Sequence, residues 1–172
     1  MKLPINFETE RLIIRKVEVR DWSALLDTFN SNEFPARLPL SRLNTESKVR
    51  SWIDDRSKDW DMDAGFVWSM EFKPTGIVIG QISLFPRESA YALAYWVNPE
   101  SWSNGFATEA CVTLIDQVKQ SGYNNRLWAG TAEWNEASSL VLKKLNFRSI
   151  GTRTHLLANG IEEKINEYAL DL

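Results

Sequence analysis

Residues 91–118 read YALAYWVNPESWSNGFATEACVTLIDQV. Residues 91–97 form a short apolar and aromatic run, which suits a buried strand. Asn98-Pro99 ends it, because proline cannot donate to a ladder. A small polar segment follows, Ser101-Trp102-Ser103-Asn104-Gly105. A helical period then begins: Ala107, Ala110, Cys111, Leu114, Ile115 and Val118 recur at three- and four-residue steps. The stretch predicts strand, glycine-containing turn and helix. The first N–H groups of such a helix lack an internal partner and lie at the positive end of its dipole, a geometry that binds phosphate.

Upstream, residues 65–85 have a period of two. Phe66, Trp68, Met70 and Phe72 alternate with Val67, Ser69 and Glu71, and Pro74-Thr75-Gly76 supplies the turn of a hairpin. With residues 91–97 this makes a three-stranded meander. Earlier still, residues 11–17 read as a first strand. Asp21 is placed to cap a helix bearing Trp22, Leu25, Leu26 and Phe29, and Thr45 a second bearing Val49, Trp52 and Ile53. Between them, residues 30–44 form a loop whose Phe34, Leu38 and Leu40 need something to pack on. Downstream, Gly122 ends the central helix, and residues 127–133 form a strand. Asn135 caps a short helix with Ala137, Leu140, Val141 and Leu145 on one face, and Asn146 suits its left-handed end. Residues 147–156 and 161–172 form strands joined by a turn at Asn159-Gly160. The order β-α-α-β-β-β-α-β-α-β-β describes one mixed α/β layer fold without repeats or linkers.

At 172 residues the chain fits a single domain with a substantial core, and 44% hydrophobic residues mark it as globular. A net charge of -3 argues against direct nucleic-acid binding and sits more easily with an amine substrate. No apolar run is long enough to span a membrane, and MKLPINFETERL has no signal core. The expectation is a cytoplasmic protein without membrane attachment, as monomer or homodimer. The single cysteine, Cys111, excludes an internal disulfide and lies on the apolar helix face as a core residue. The single histidine, His155, excludes a multi-histidine metal centre, and no metal is expected.

Three patterns, in order, resemble the GNAT family of acetyl-CoA-dependent N-acetyltransferases, and within it the ribosomal-protein N-terminal acetyltransferase (RimJ/RimL-type) branch. Glu8-Thr9-Glu10-Arg11-Leu12-Ile13-Ile14-Arg15 resembles the branch's ETERLxLR opening. Tyr95-Trp96-Val97 and then Trp102-Ser103-Asn104-Gly105-Phe106-Ala107-Thr108-Glu109-Ala110 resemble its GYW…W-G-x-G-Y-A-T-E-A. Asn135-Glu136-Ala137-Ser138 and Lys144-Leu145-Asn146-Phe147 resemble its N-x-x-S…K-L-G-F. The resemblance covers nearly the whole chain. It implies a single mixed, mostly antiparallel sheet of about seven strands and four helices, splayed between the fourth and fifth strands.

The resemblance also implies roles. Backbone N–H groups of Trp102, Ser103, Asn104, Gly105, Phe106, Ala107 and Thr108 would wrap the pyrophosphate of acetyl-CoA. The backbone of Trp96 and Val97 would pair with the pantetheine arm and hold the thioester oxyanion. Asn135 would contact the arm, and Ser138 would protonate the leaving thiolate. A base must take a proton from the acceptor amine. The branch often carries a glutamate two residues before its Gly-Tyr-Trp, where this chain has Ala92. Glu133 and Glu88 are the substitutes, and Tyr168 is an alternative acid. Ser103 replaces the first glycine of the turn. Trp52, Trp60 and Trp134 are candidates to line a cleft. The acceptor is a primary amine, either a protein N-terminus or a small amine such as an aminoglycoside, polyamine or amino acid. A CoA-binding protein that has lost catalysis is the other reading left open by Ala92.

Overall fold

A computed structural model describes residues 2–156 and 160–172. Eight strands form one sheet: β1 (Asn6–Glu8), β2 (Leu12–Lys16), β3 (Phe66–Phe72), β4 (Ile77–Arg87), β5 (Ala90–Val97), β6 (Arg126–Ala132), β7 (Arg148–Leu156) and β8 (Glu162–Asp171). Four helices accompany them: α1 (Trp22–Phe29), α2 (Glu46–Asp61), α3 (Phe106–Gln120) and α4 (Glu136–Lys144). The spatial order is β1-β2-β3-β4-β5-β6-β8-β7, and every pairing is antiparallel except β5 with β6. The sheet has one strand more than the expected seven. β1 lies between Pro4 and Thr9, too short to show any alternation, and exists because it pairs with Ile13–Arg15 of β2.

Alternation along the strands divides the core in two. Leu12, Ile14, Trp68, Met70, Ile82, Leu84, Leu93 and Leu127 pack with Ala110, Cys111, Leu114 and Val118 of α3 and Leu142 of α4. On the opposite face Val17, Val67 and Val78 pack with Leu25 and Phe29 of α1 and Val49 and Ile53 of α2. The buried environment pushes the Cys111 thiol pKa up, so this cysteine is an inert core residue. Trp60 closes the end of the first core against Phe66 and Trp68 and donates to Val67 O.

Thr45 caps α2 as expected, accepting from Lys48 N at 3.4 Å. Asp21 stands before α1 but its carboxylate does not cap it. It is buried, bound by Arg15 at 2.7 and 3.0 Å and by the Ser69 hydroxyl at 2.7 Å. That network fastens α1 to the sheet. Loop residue Phe34 is buried against Phe29 and Trp96, so the loop between α1 and α2 packs on the end of β5. Asn146 has φ of +64° and Gly122 of +82°, the left-handed positions expected at the helix ends. Gly160 has φ of +79°, while Asn159 of the expected turn lies outside the described residues.

Candidate active site

The parallel pairing of β5 and β6 covers only Ala90–Ala92 against Arg126–Trp128. Beyond Ala92 the two strands part, while β5 stays paired with β4 as far as Val97 and β6 with β8 as far as Ala132. This is the expected splay, and it opens toward the C-terminal ends of both strands. The N-terminus of α3 stands at the end of β5, and α4 follows the end of β6.

The connection from β5 to α3 is held from both sides. The Asn98 side chain accepts from Glu100 N at 3.1 Å, and the Trp102 indole donates to Val97 O at 2.7 Å. Val97's carbonyl is therefore already engaged. Ser103 adopts φ of +63° and Gly105 of +79°. Gly105 is the N-cap of α3 and offers no side chain, so the first-turn amides carry no side-chain cap. Arg11 Nη2 donates to Asn104 O at 2.9 Å, and its guanidinium lies 4.3 Å from the centre of the Phe106 ring. Arg11 also grips Glu109 of α3 through Nε at 2.7 Å and Nη2 at 2.6 Å, while Arg11 N and the Thr9 hydroxyl donate to the other carboxylate oxygen. Partial burial works to raise the Glu109 carboxyl pKa, but these bonds outweigh it and hold it below the usual carboxylate range. The sequence contained both ends of this clamp without revealing that they touch.

Across the gap, Asn135 Oδ1 accepts from Ser138 N at 3.2 Å and caps α4. Its amide nitrogen has no protein partner among the described residues. Ser138 Oγ lies 2.9 Å from Tyr95 Oη of β5, and that phenol also donates to Ser138 O at 2.9 Å. Tyr95 is the residue that sequence reasoning missed. Burial drives its phenol pKa well up and the Ser138 bond only partly opposes this, so the phenol stays protonated. Tyr168 lies buried in the core on the neighbouring face of β8. Glu133 is exposed just past the end of β6, its N–H bonded to Lys164 O at 2.9 Å. Glu88 sits in the β4–β5 turn, roughly 30 Å along β5 from Val97. Trp134 is exposed and donates to Glu163 at 2.7 Å, and Trp52 packs in the second core.

The face of β5 and β6 turned away from α3 is open. Ala92, Ala94 and Trp96 of β5 share it with Trp128, Gly130 and Ala132 of β6, and Ala94 and Gly130 are exposed although their strands are central. Its rims are aromatic and cationic. Arg56 lies over the Phe85 ring at 5.8 Å, and Arg87 over the Trp128 ring at 3.7 Å. Glu167 of β8, opposite Gly130, binds both Arg87 and Arg153. A separate cavity of about 580 Å³ lies beside α1 and the β3–β4 turn; nothing from β6 or α4 lines it.

Comparison with known proteins agrees with this geometry. The acetyltransferase (GNAT) domain family matches residues 11–148. The uncharacterised N-acetyltransferase YoaA of Bacillus subtilis (strain 168) is 28% identical over 171 residues, 95% of this chain and 94% of that protein. RimL, a ribosomal alpha-N-protein acetyltransferase in complex with coenzyme A, superposes with TM-score 0.86 at 16% identity, over 99% of this chain and 97% of that one. A ribosomal-protein-alanine acetyltransferase from Vibrio fischeri gives TM-score 0.82 at 21% identity, over 98% and 97%. Such low identities speak to the fold, which they share along its whole length. With a family match across most of its length and the splayed strands in place, the chain belongs to the GNAT acetyltransferases, N-acetyltransferases that draw their acetyl group from acetyl-CoA.

Proposed function

We propose that this enzyme acetylates the N-terminal α-amine of a protein. The observation that carries the reading is the pairing of a splayed β5–β6 gap, closed on one side by Tyr95 and Ser138, with an open floor of Ala92, Ala94 and Gly130 on the other. A chain terminus can lie across an open face, whereas a small polyamine calls for an enclosed acidic pocket. The ribosomal-protein acetyltransferases among the structural neighbours support the same acceptor.

The residues divide the work. The amides of Ser103, Asn104, Gly105, Phe106, Ala107 and Thr108, in the turn and at the uncapped start of α3, hold the pyrophosphate, where the helix dipole favours negative charge; the expected Trp102 N–H is already engaged, donating to Pro99 O at 3.1 Å. The strand edge at Trp96 and Val97 lies along the pantetheine arm, and the Asn135 amide donates to it. Acetyl-CoA supplies a thioester carbonyl that a neutral amine can attack directly. Glu133, directly or through water, takes the proton the amine loses. The Ser138 hydroxyl gives a proton to the departing thiolate and takes one back from water, and Tyr95 Oη orients that hydroxyl from 2.9 Å.

The test is thiol release from acetyl-CoA with N-terminal peptides, polyamines, aminoglycosides and amino acids, with acetyl-CoA binding measured in parallel. Turnover of peptides alone is the expected result. Turnover confined to small amines would overturn the acceptor, and binding without any turnover would revive a catalytically lapsed protein.

A further inference from the structure

Beside the gap lies a charged cluster that the chemistry above does not use. Arg87 at the end of β4, Trp128 on β6, Glu167 on β8 and Arg153 on β7 meet on the open face. Strand order makes this meeting possible: β8 lies between β6 and β7, which sets Glu167 opposite Gly130 at the edge of the gap. Glu167 accepts from Arg153 Nε at 3.0 Å and from Arg87 Nη2 at 3.5 Å. Its side chain is 19% exposed, against 37% for Arg87 and 42% for Arg153. Two guanidiniums thus share one carboxylate and leave a local surplus of one positive charge, on a chain whose net charge is -3.

The surplus is presented as donors. Arg87 lies 3.7 Å from the centre of the Trp128 ring, a contact that fixes the guanidinium without consuming its in-plane N–H groups. Beyond their contacts with Glu167, neither arginine has a protein partner for its remaining N–H groups among the described residues. A purely structural role has little energy behind it, since ion pairs this exposed contribute about 0–1 kcal/mol. What the cluster does supply is a pre-oriented fork that matches a carboxylate, beside the small side chains of Ala92 and Ala94.

We infer that Arg87 and Arg153, held by Trp128 and Glu167, read an acidic side chain near the start of the acceptor protein, so that the preferred substrate is an acidic N-terminal segment. The inference rests on the protein-acceptor reading above. Glu167 stands one strand outboard of Gly130, about 4.8 Å, and the arginine side chains extend over that space. An acidic group reaching them while the terminal amine enters the gap lies roughly 10 Å from it, the span of about three extended residues.

The experiment compares two octapeptides identical except for residues 2–4, glutamate in one and lysine in the other. Thiol release gives kcat and KM for the wild type and for Arg87→Gln, Arg153→Gln and Arg153→Glu. The wild type should favour the acidic peptide at least about tenfold, chiefly through KM. Each glutamine variant should lose most of that preference, and Arg153→Glu should reverse it. The KM for acetyl-CoA should stay put throughout, which separates lost recognition from lost fold. Equal use of the two peptides by the wild type, or a preference that survives both glutamine variants, would overturn the inference and leave the protein-acceptor reading standing. Turnover of small amines with neither peptide accepted would remove both.

Discussion

Replacing Glu109 by glutamine should weaken the fold and the cofactor turn together. In the wild type one carboxylate oxygen accepts from the Thr9 hydroxyl and Arg11 N, the other from Arg11 Nε at 2.7 Å and Nη2 at 2.6 Å. A glutamine carbonyl can keep the first pair. Its amide then faces the guanidinium, donor against donor, so two charge-assisted bonds are lost. Such bonds contribute about 1.5–3 kcal/mol each when shielded. The Arg11 side chain is 40% exposed and rehydrates when released, so the net loss should be about 2 kcal/mol. For a chain of 172 residues that is a fall in Tm of roughly 4–8 °C, read by calorimetry at neutral pH. Arg11 also anchors Asn104 O, so affinity for acetyl-CoA should drop in parallel. Acid provides a second reading. The Glu109 carboxyl is depressed in the folded state, so its stabilisation is present above the unfolded value of about 4.3 and disappears as pH falls through the lower folded value. The two proteins should therefore converge in stability below that range. An unchanged Tm at neutral pH with unchanged acetyl-CoA affinity would refute the reasoning: the clamp would then be a surface ion pair without consequence.

Three further outcomes follow from the site. Tyr95→Phe removes the hydroxyl that orients Ser138 and should lower kcat about tenfold with acetyl-CoA affinity intact, so unchanged turnover would remove Tyr95 from the mechanism. Glu133→Gln should lower kcat by about a hundredfold while acetyl-CoA still binds, and full activity in this variant would show that another group takes the proton. Ser103→Gly relieves a left-handed serine, φ +63°, at a cost of about 1 kcal/mol that glycine's extra chain entropy partly cancels. Its Tm should rise by about 1–3 °C, and a fall would mean that the serine side chain contributes more than its strain costs.

The central strand, turn and helix were legible because three local signals change in quick succession: an apolar run, a proline stop and a helical period. Contacts between distant segments were not. Asp21 has the residue type and position of a cap, yet its carboxylate binds Ser69, which a local reading does not bring near it. Tyr95 looked like one more core aromatic until α4 brought Ser138 to it. Thr9, Arg11 and Glu109 were visible as fragments of two motifs about a hundred residues apart, and the structure makes them one clamp. Glu167 escaped notice because β8 inserts between β6 and β7, an order the chain sequence conceals.

Ala92 links the departures in this chain. A carboxylate at that position would stand between the Phe85 and Trp128 rings and place negative charge on the floor itself. With alanine there, the floor is uncharged and the charges come from its rims. Glu167 is the carboxylate set opposite Gly130, but its Oε1 already accepts from Arg87 and Arg153. It is tied down as an anchor for two cations, which suits recognition better than proton transfer. Glu133, exposed beyond β6 with no side-chain partner among the described residues, is the base proposed above. The division is physical: a base needs an unoccupied lone pair near the amine, whereas a recognition element needs fixed geometry and spare donors. In the proposed division the base stands past the end of β6 and the recognition arginines on β4 and β7, and substitutions at each should separate kcat from KM.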